Sequence, residues 1–500
     1  MNLFGSAGAP AFRHPLGPSG SARDIPARQS DGGPKDTLPG DARPAGRDRY
    51  YDPMKDEAIS DVPNPPGRPA DARLAVIGLG YVGLPLAINF VEAGIGVWGV
   101  DAWDARVAQI AAGDSPIDDI DDGRLAAALE AGLRVSGLDE AAVATADAVV
   151  ICVPTPIDES RDPDLAHVLD AARFAGKALR RRQLIVLQST TYPGTTSGPL
   201  RRTLEAASGL QADRDFDLAF VPERVNPGDP ASSGRDVPRL VGGLTKSATA
   251  RAAALFRHIN ETVVELSSPE AAEMAKLLEN IFRNVNIALV NQLAMLCERM
   301  GLDVWEVVDA AATKPFGFMP FRPGPGVGGH CIPVDPYYLA WRARQFGFVD
   351  RFVELAGDIN MSMPRHVVQL VAEALNSRGR AINGSRIGVV GVSFKPDVRD
   401  SRNSPAADVM ALLTERGGEV SYHDPHIERF ADSHGRESES QPLASLVEAS
   451  DVVVALVAHR AVDWGLVYAR ASLVVDTAGT ARNRELRPDQ VLLLGRGWIR

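Results

Sequence analysis

From residue 73 onward, apolar and polar positions fall into blocks that fit strands and helices in turn. RLAVIGL, beginning at Arg73, is a continuous apolar run of strand length, the pattern of a strand buried on both faces of a parallel sheet. LPLAINFVEAG then has helical spacing, and IGVWGVD is a second apolar run ending at Asp101. Strand, helix and strand within about 30 residues make a βαβ unit. Strand patterns recur at ADAVVICV (146–153), LIVLQST (184–190), DLAFVPE (217–223) and RLVGG (239–243), with helical spacing around 164–180. From residue 268 the spacing turns helical for more than 30 residues. Ser267 or Ser268 with Pro269 and Glu270 marks the start of that helix, and Gly301 its end. A Gly/Pro-rich loop, PFRPGPGVGGHCIPVDP, precedes more helix through about 379. RIGVVGVSF opens a second βαβ-like region, with a helix over 403–417 and the strands GEVSYHD, DVVVALVA and SLVVDTA. The predicted class is α/β: two Rossmann-like doubly wound domains, 71–266 and 381–500, joined by a long central helix in a helical middle domain over 267–380.

Composition changes this picture at one end. Residues 1–70 hold 12 Pro and 9 Gly, and 9 Lys+Arg against 9 Asp+Glu. Apolar positions there are sparse and aperiodic, so the segment is expected to be a disordered extension. The net charge of −11 then belongs to residues 71–500, and no basic face points to nucleic acid. No uncharged apolar run reaches membrane-spanning length, and the basic-then-apolar pattern of a signal peptide is missing. The expectation is a soluble, cytoplasmic, multi-domain protein. Three cysteines, Cys152, Cys297 and Cys331, exclude a disulfide scaffold, and no Cys/His spacing suggests a metal. Cys152, inside VVICV, and Cys297, on an amphipathic helix, have the setting of buried thiols, whereas Cys331 sits in the glycine-rich loop.

The candidate chemistry lies at strand ends. Gly78, Gly80 and Gly83 form G-x-G-x-x-G between a strand and a helix, the context in which backbone N–H groups approach a pyrophosphate. Asp101, 18 residues beyond Gly83, can accept from both ribose hydroxyls and repels a 2′-phosphate, which favours NAD over NADP. VPTP (153–156) and STTYPGTT (189–196) also follow strands, and alone they are weak strings. Glu223 in VPERVNPG (221–228) ends a strand; the alternative to a functional carboxylate is a salt-bridged one beside Arg224. On the long helix, Glu273, Lys276, Asn280, Arg283 and Asn284 recur at spacings that place Lys276 and Asn280 on one face, or simply form a solvated stripe. A thiolate at Cys331 needs an electropositive or hydrogen-bonding setting, with His330 and Asp335 nearby. SFKPDVRDSRNSP (393–405) brings Lys395, Arg399 and Arg402 to a second-domain strand end, suited to a diphosphate.

Taken together, GLGYVGLPLA, VPTP, STTYPGTT, PERVNPG, EMAKLLEN, GGHCIPVDP and FKPDVRDSRNSP resemble the UDP-glucose/GDP-mannose dehydrogenase family in order and spacing, from about Arg73 into the 470s. The resemblance implies an NAD-binding domain, a helical dimer-forming middle and a C-terminal domain that holds a UDP-sugar. It implies two oxidations at carbon 6 of the sugar. Carried over by motif, Cys331 is the nucleophile, Lys276 and Asn280 stabilise an oxyanion, Asp335 and Thr190 position a water, and Glu223 serves hydrolysis. The same matching sets the cofactor against Gly78, Gly80, Tyr81, Val82, Gly83, Asp101, Arg106, Thr155 and Arg402, and the substrate against Phe321, Gly328 and Lys395. The segment TKPFGFMPFRPGPGVGGHCIPVDPYYLAWRAR is similar to the branch acting on UDP-N-acetylhexosamines, in particular UDP-N-acetylglucosamine. A homodimer or larger homo-oligomer is implied.

Overall fold

A computed structural model of the chain describes residues 73–499, apart from 118, 159 and 225–235. The extension expected over 1–70 lies outside the described residues.

The first sheet is built from β1 (Arg73–Ile77), β2 (Gly96–Val100), β3 (Arg134–Ser136), β4 (Ala148–Ile151), β5 (Leu184–Leu187), β6 (Asp217–Phe220), β7 (Arg239–Gly243) and β8 (Val263–Leu266). Their order is β3-β2-β1-β4-β5-β6-β7-β8. Only β6 and β7 pair antiparallel. The continuous apolar run of β1 has a direct cause. Leu74 and Val76 pack with Leu84, Ile88 and Phe90 on one face, while Ala75 and Ile77 pack with Val168 and Leu204 on the other. Successive side chains of a strand alternate faces, so a strand covered on both must be apolar throughout. The chain runs outward one way from β1 to β2 and β3, and the other way from β4. The gap between β1 and β4 is thus a switch point, where the carboxyl ends of strands leave a crevice.

The long helix spans Pro269–Met300. The Ser268 hydroxyl accepts from the Ala271 N–H at 3.2 Å, and Gly301 ends the helix in the left-handed conformation at φ 69°. A second long helix, Arg351–Asn376, packs against it. Their contact is unusually polar. Buried Asn291 receives the Gly324 N–H at 3.0 Å and donates to Asn360 at 3.0 Å, and Asn360 donates to the Asn284 side chain at 2.8 Å. Each buried amide is costly unless paired, so the three asparagines fix how the helices face one another.

The second sheet contains β9 (Arg386–Val390) and β10 (Glu419–His423), followed after the small hairpin β11 (Arg429–Ala431) and β12 (Glu437–Glu439) by β13 (Val452–Ala455), β14 (Val474–Asp476), β15 (Val491–Leu493) and β16 (Gly497–Trp498). Its order is β10-β9-β13-β14-β15-β16, with a second switch point between β9 and β13. Both sheets hold the turn after their central strand in the same way. Asp101, after β2, accepts from Leu79 N–H at 2.8 Å. Asp424, after β10, accepts from Val392 N–H at 2.7 Å and Ser393 N–H at 3.1 Å. Among the described residues no helix is long and apolar enough to cross a membrane.

Candidate active site

The carboxyl ends of β1, β2, β4 and β5 open onto a cleft of about 1850 Å³. Gly78 N–H donates to Val100 O at 2.7 Å and Cys152 N–H to Ile77 O at 2.8 Å, which draws the three central strand ends together. The turn that follows can only be glycine at two places. Gly78 has φ +93°, and a Cβ there would lie 2.6 Å from Cys152 O. A Cβ on Gly83 would lie 1.8 Å from Gly78 O. At Gly80 a Cβ would meet only Arg106 Nη1, at 3.8 Å, so that glycine leaves open space in the cleft. The helix Gly83–Glu92 begins here, and Val82 gives it no capping side chain. Asp101 accepts from Leu79 and Trp103 N–H groups and, at 3.4 Å, from Arg106. Arg106 Nε is buried without a hydrogen-bond partner among the described residues. An uncapped helix end, a turn whose glycines carry no side chain and a carboxylate with an orphaned donor beside it fit a dinucleotide.

Tyr81, Val82, Thr155 and Arg402 also line this end. The Arg402 guanidinium lies 4.7 Å above the Tyr81 ring and is paired to Asp400 at 2.8 Å, so its charge is partly spent inside the protein. The Thr155 carbonyl accepts from the Tyr338 hydroxyl, tying the VPTP turn to the helix Asp335–Gln345.

The same cleft is also lined by Cys331, Lys276, Asp335, Thr190, Glu223 and His330. The Cys331 carbonyl accepts from Asp335 N–H at 2.8 Å, so the cysteine sits one turn ahead of the helix that Asp335 begins. Cys331 opens onto the cleft, yet the surrounding protein desolvates its sulfur. Burial pushes the thiol up to about 11; the Asp335 carboxylate adds to this, and Lys276, Arg283 and Arg402 oppose it. Burial pushes the Asp335 carboxyl up to about 6, against the pull of Lys276 and of the hydrogen bond from Asn280. Asp335 is 3% exposed.

The polar stripe of the long helix does not face a single surface. Lys276 faces the cleft. Asn280 donates to Asp335 from behind, rather than standing on the cleft wall. Asn284 belongs to the asparagine contact described above, and Glu273 is fully buried. Glu223 does carry a salt bridge, but with Arg239 at 2.9 Å; Arg224 pairs with Glu279 at 2.6 Å instead. Gln188 donates to the same Glu223 oxygen at 2.7 Å. Residues 225–228 of that motif lie outside the described residues.

Three residues that the resemblance sets against the substrate do not line this cleft. Phe321 packs against Val290, Trp305 and Val308, edge-on to Phe282 with ring centroids 5.8 Å apart. Gly328 is pressed between Asn403 O and Phe394, where a Cβ would approach within 2.8 Å and 2.9 Å. Lys395 lies 5.7 Å from the Phe394 ring centroid. None of the three lines the cleft, although the loops that carry them border it through Val327 and Arg402. A grouping of Asp397, His426 and His459 has the proximity of a metal site. However, His459 Nδ1 accepts from Asp397 N–H at 3.0 Å, while Nε2 lies 3.1 Å from Asp424, so both ring nitrogens are already engaged. Sequence reasoning missed Gln188, Arg239 and Asn360, whose partners are 16 or more residues away.

Three family models match the chain: the NAD binding domain of the UDP-glucose/GDP-mannose dehydrogenase family over residues 72–260, its central domain over 270–362 and its UDP binding domain over 388–483. A UDP-N-acetyl-D-glucosamine 6-dehydrogenase of Pseudomonas aeruginosa is 36% identical over 358 residues, 71% of this chain and 83% of the relative. A UDP-N-acetyl-D-mannosamine dehydrogenase of Pyrococcus horikoshii is 35% identical over 398 residues, 78% and 91% of the two chains. The solved structure of the Pyrococcus horikoshii enzyme superposes with a TM-score of 0.78 at 33% identity, covering 85% of this chain and all (100%) of that one. A UDP-glucose dehydrogenase from Pyrobaculum islandicum superposes with a TM-score of 0.74 at 28% identity, covering 86% and 98%.

Proposed function

The chain belongs to the UDP-glucose/GDP-mannose dehydrogenase family, and on that premise we propose that this NAD-dependent UDP-sugar dehydrogenase oxidises a UDP-N-acetylhexosamine, UDP-N-acetylglucosamine first, at carbon 6 to the uronic acid. The product would serve surface-polysaccharide synthesis. The observation that carries the proposal is the meeting of Cys331, Lys276 and Asp335 in the same cleft as the glycine turn. NAD, when bound, accepts hydride from carbon 6 in each of the two oxidations. Gly78, Gly80, Val82, Asp101 and Arg106 are the residues to hold it.

The remaining work falls to the protein's own groups. The first oxidation yields an aldehyde. The Cys331 sulfur adds to its carbon, the thiol proton passes to the aldehyde oxygen, and a thiohemiacetal forms. The second oxidation leaves a thioester. A water then adds to the thioester carbonyl, the carbon–sulfur bond breaks, and the acid and the free thiol result. Lys276 stabilises the oxygen that becomes negative in each addition. Asp335 and Thr190 position the water. Glu223, held by its ion pair with Arg239, helps to order it. The domains are taken as 71–266 for the cofactor, 267–380 for the reacting residues and 381–500 for the UDP-sugar. Leu278, Phe282, Leu289, Leu293, Leu296 and Met300 form an exposed apolar stripe along the long helix, which supports pairing with a second copy of the chain.

The test is stoichiometry over a panel of UDP-sugars. Two NADH per sugar are expected, with the largest kcat/KM for UDP-N-acetylglucosamine. One NADH per sugar, or full activity in Cys331→Ala, refutes the thioester route. A preference for UDP-glucose or UDP-N-acetylmannosamine refutes the substrate assignment alone.

A further inference from the structure

Glu273 takes no part in the route above, yet it is one of the most completely enclosed carboxyl groups in the chain, at 0% exposure. It stands three residues before Lys276 on the long helix. Its carboxylate accepts three hydrogen bonds: from Gly194 N–H at 2.6 Å, from Thr196 N–H at 2.9 Å and from the Thr196 hydroxyl at 2.7 Å. All three donors belong to the segment 189–196, whose first residues, Ser189 and Thr190, line the cleft.

The same segment is gripped from its other side. Arg342 donates to Pro193 O at 3.0 Å, and Trp341 packs on Tyr192 with ring centroids 4.7 Å apart. Both come from the helix Asp335–Gln345, which Cys331 precedes. The segment is therefore held between the two helices that present Lys276 and Asp335. Immediately after it, Thr196–Leu200 forms a π-turn, a distortion found often beside functional sites.

We propose that Glu273 is a positioning residue, whose carboxylate fixes the 189–196 segment on the long helix and so sets Thr190 against Lys276 and Cys331. The proposal rests on the reading of those three residues as the reaction centre. The ionised carboxyl accepts from all three donors with charge-assisted hydrogen bonds; once protonated it accepts more weakly and carries a hydrogen of its own among those donors. Burial pushes the group up to about 7, while the Thr196 and Gly194 hydrogen bonds pull it back. Glu270, one turn earlier, adds repulsion. Tyr192 faces it from the segment, with Arg342 and Arg202 around that tyrosine. Among the described residues none forms an ion pair with Glu273. Turnover is therefore expected to fall as the pH drops through 7.

The experiment compares kcat against pH for the parent, Glu273→Gln and Thr196→Val. In Glu273→Gln, kcat is expected to fall by up to about 100-fold, the cost of displacing a reacting group by an ångström, while KM moves far less. The limb near pH 7 should vanish, leaving the limbs of Asp335 and Cys331. In Thr196→Val, loss of one stabilising hydrogen bond should move that limb to higher pH. A parental kcat and limb in Glu273→Gln, or an unmoved limb in Thr196→Val, overturns the proposal. Amide hydrogen exchange at Gly194 and Thr196 gives a readout independent of turnover. It should rise, beyond its intrinsic pH dependence, below pH 7 in the parent and be insensitive to that transition in Glu273→Gln. A parent inactive on every UDP-sugar would refute the functional reading, while the exchange comparison would still decide the clamp.

Discussion

Two glycines of the cofactor turn serve different ends, and substituting each by alanine separates them. A Cβ at position 83 would lie 1.8 Å from Gly78 O and 3.1 Å from the Cys152 Cβ. A carbon and an oxygen normally stay about 3.3 Å apart, so strand and helix must separate by about 1.5 Å. Overpacking of this kind costs about 1–3 kcal/mol. At about 2–4 °C per kcal/mol for a domain of this size, Gly83→Ala should lower the melting temperature by about 2–12 °C. It should also weaken NAD binding at least about tenfold, or ~1.4 kcal/mol, because the turn itself moves. Gly80→Ala meets only Arg106 Nη1 at 3.8 Å, so its melting temperature should match the parent. NAD binding should still weaken about tenfold or more, since the methyl occupies the space a pyrophosphate needs. Calorimetric melting and NAD titration read the two effects, with UDP titration as the control for the second domain. A parental melting temperature in Gly83→Ala would refute the packing argument. Parental NAD affinity in Gly80→Ala would refute the assignment of the turn to the dinucleotide.

The charges around Cys331 predict a pair of opposite effects. At pH 8 the thiolate is the minor form, so the alkylation rate follows its population. Asp335→Asn removes a group that raises the thiol and should react faster than the parent; Lys276→Met removes one that lowers it and should react slower. Equal rates in all three would discard the electrostatic account. For assembly, light scattering should give the parent at least twice the mass of one chain, and Leu289→Glu with Leu293→Glu should reduce it to one. A monomeric parent, or an unchanged assembly in the double variant, would discard the apolar stripe as the contact.

The central strands were legible because β1, β4 and β5 are covered on both faces, which leaves uninterrupted apolar runs, whereas the short edge strands β3 and β8, with polar and part-exposed positions, gave no such signal. The helix boundaries at Ser268 and Gly301 were legible because capping is a local affair of a few residues. Cys331 stood out because its loop is rich in glycine. The partners of Glu223 and Glu273 were hidden for the opposite reason. Arg224 is adjacent to Glu223 in the chain and gives the carboxylate only its backbone N–H, while the guanidinium that pairs with it is that of Arg239, on the neighbouring strand β7. Glu273 looked like one more polar position of a stripe, and only the return of the chain 77–79 residues distant shows what it holds. Phe321, Gly328 and Lys395 carried the motif, yet a motif does not specify which wall of a cleft a residue faces, and none of the three lines this one.

The three asparagines between the long helices form a chain with a direction. Gly324 gives its hydrogen to Asn291, Asn291 gives one to Asn360, and Asn360 gives one to Asn284. Reversing a single amide sets like atoms against each other, and sliding one helix past the other by a turn breaks both links between them at once. The pair thus behaves as a ratchet with one allowed notch. Because Gly324 opens the glycine-rich run that leads to Cys331, the same chain of amides ties the start of that run to the helix that carries Lys276.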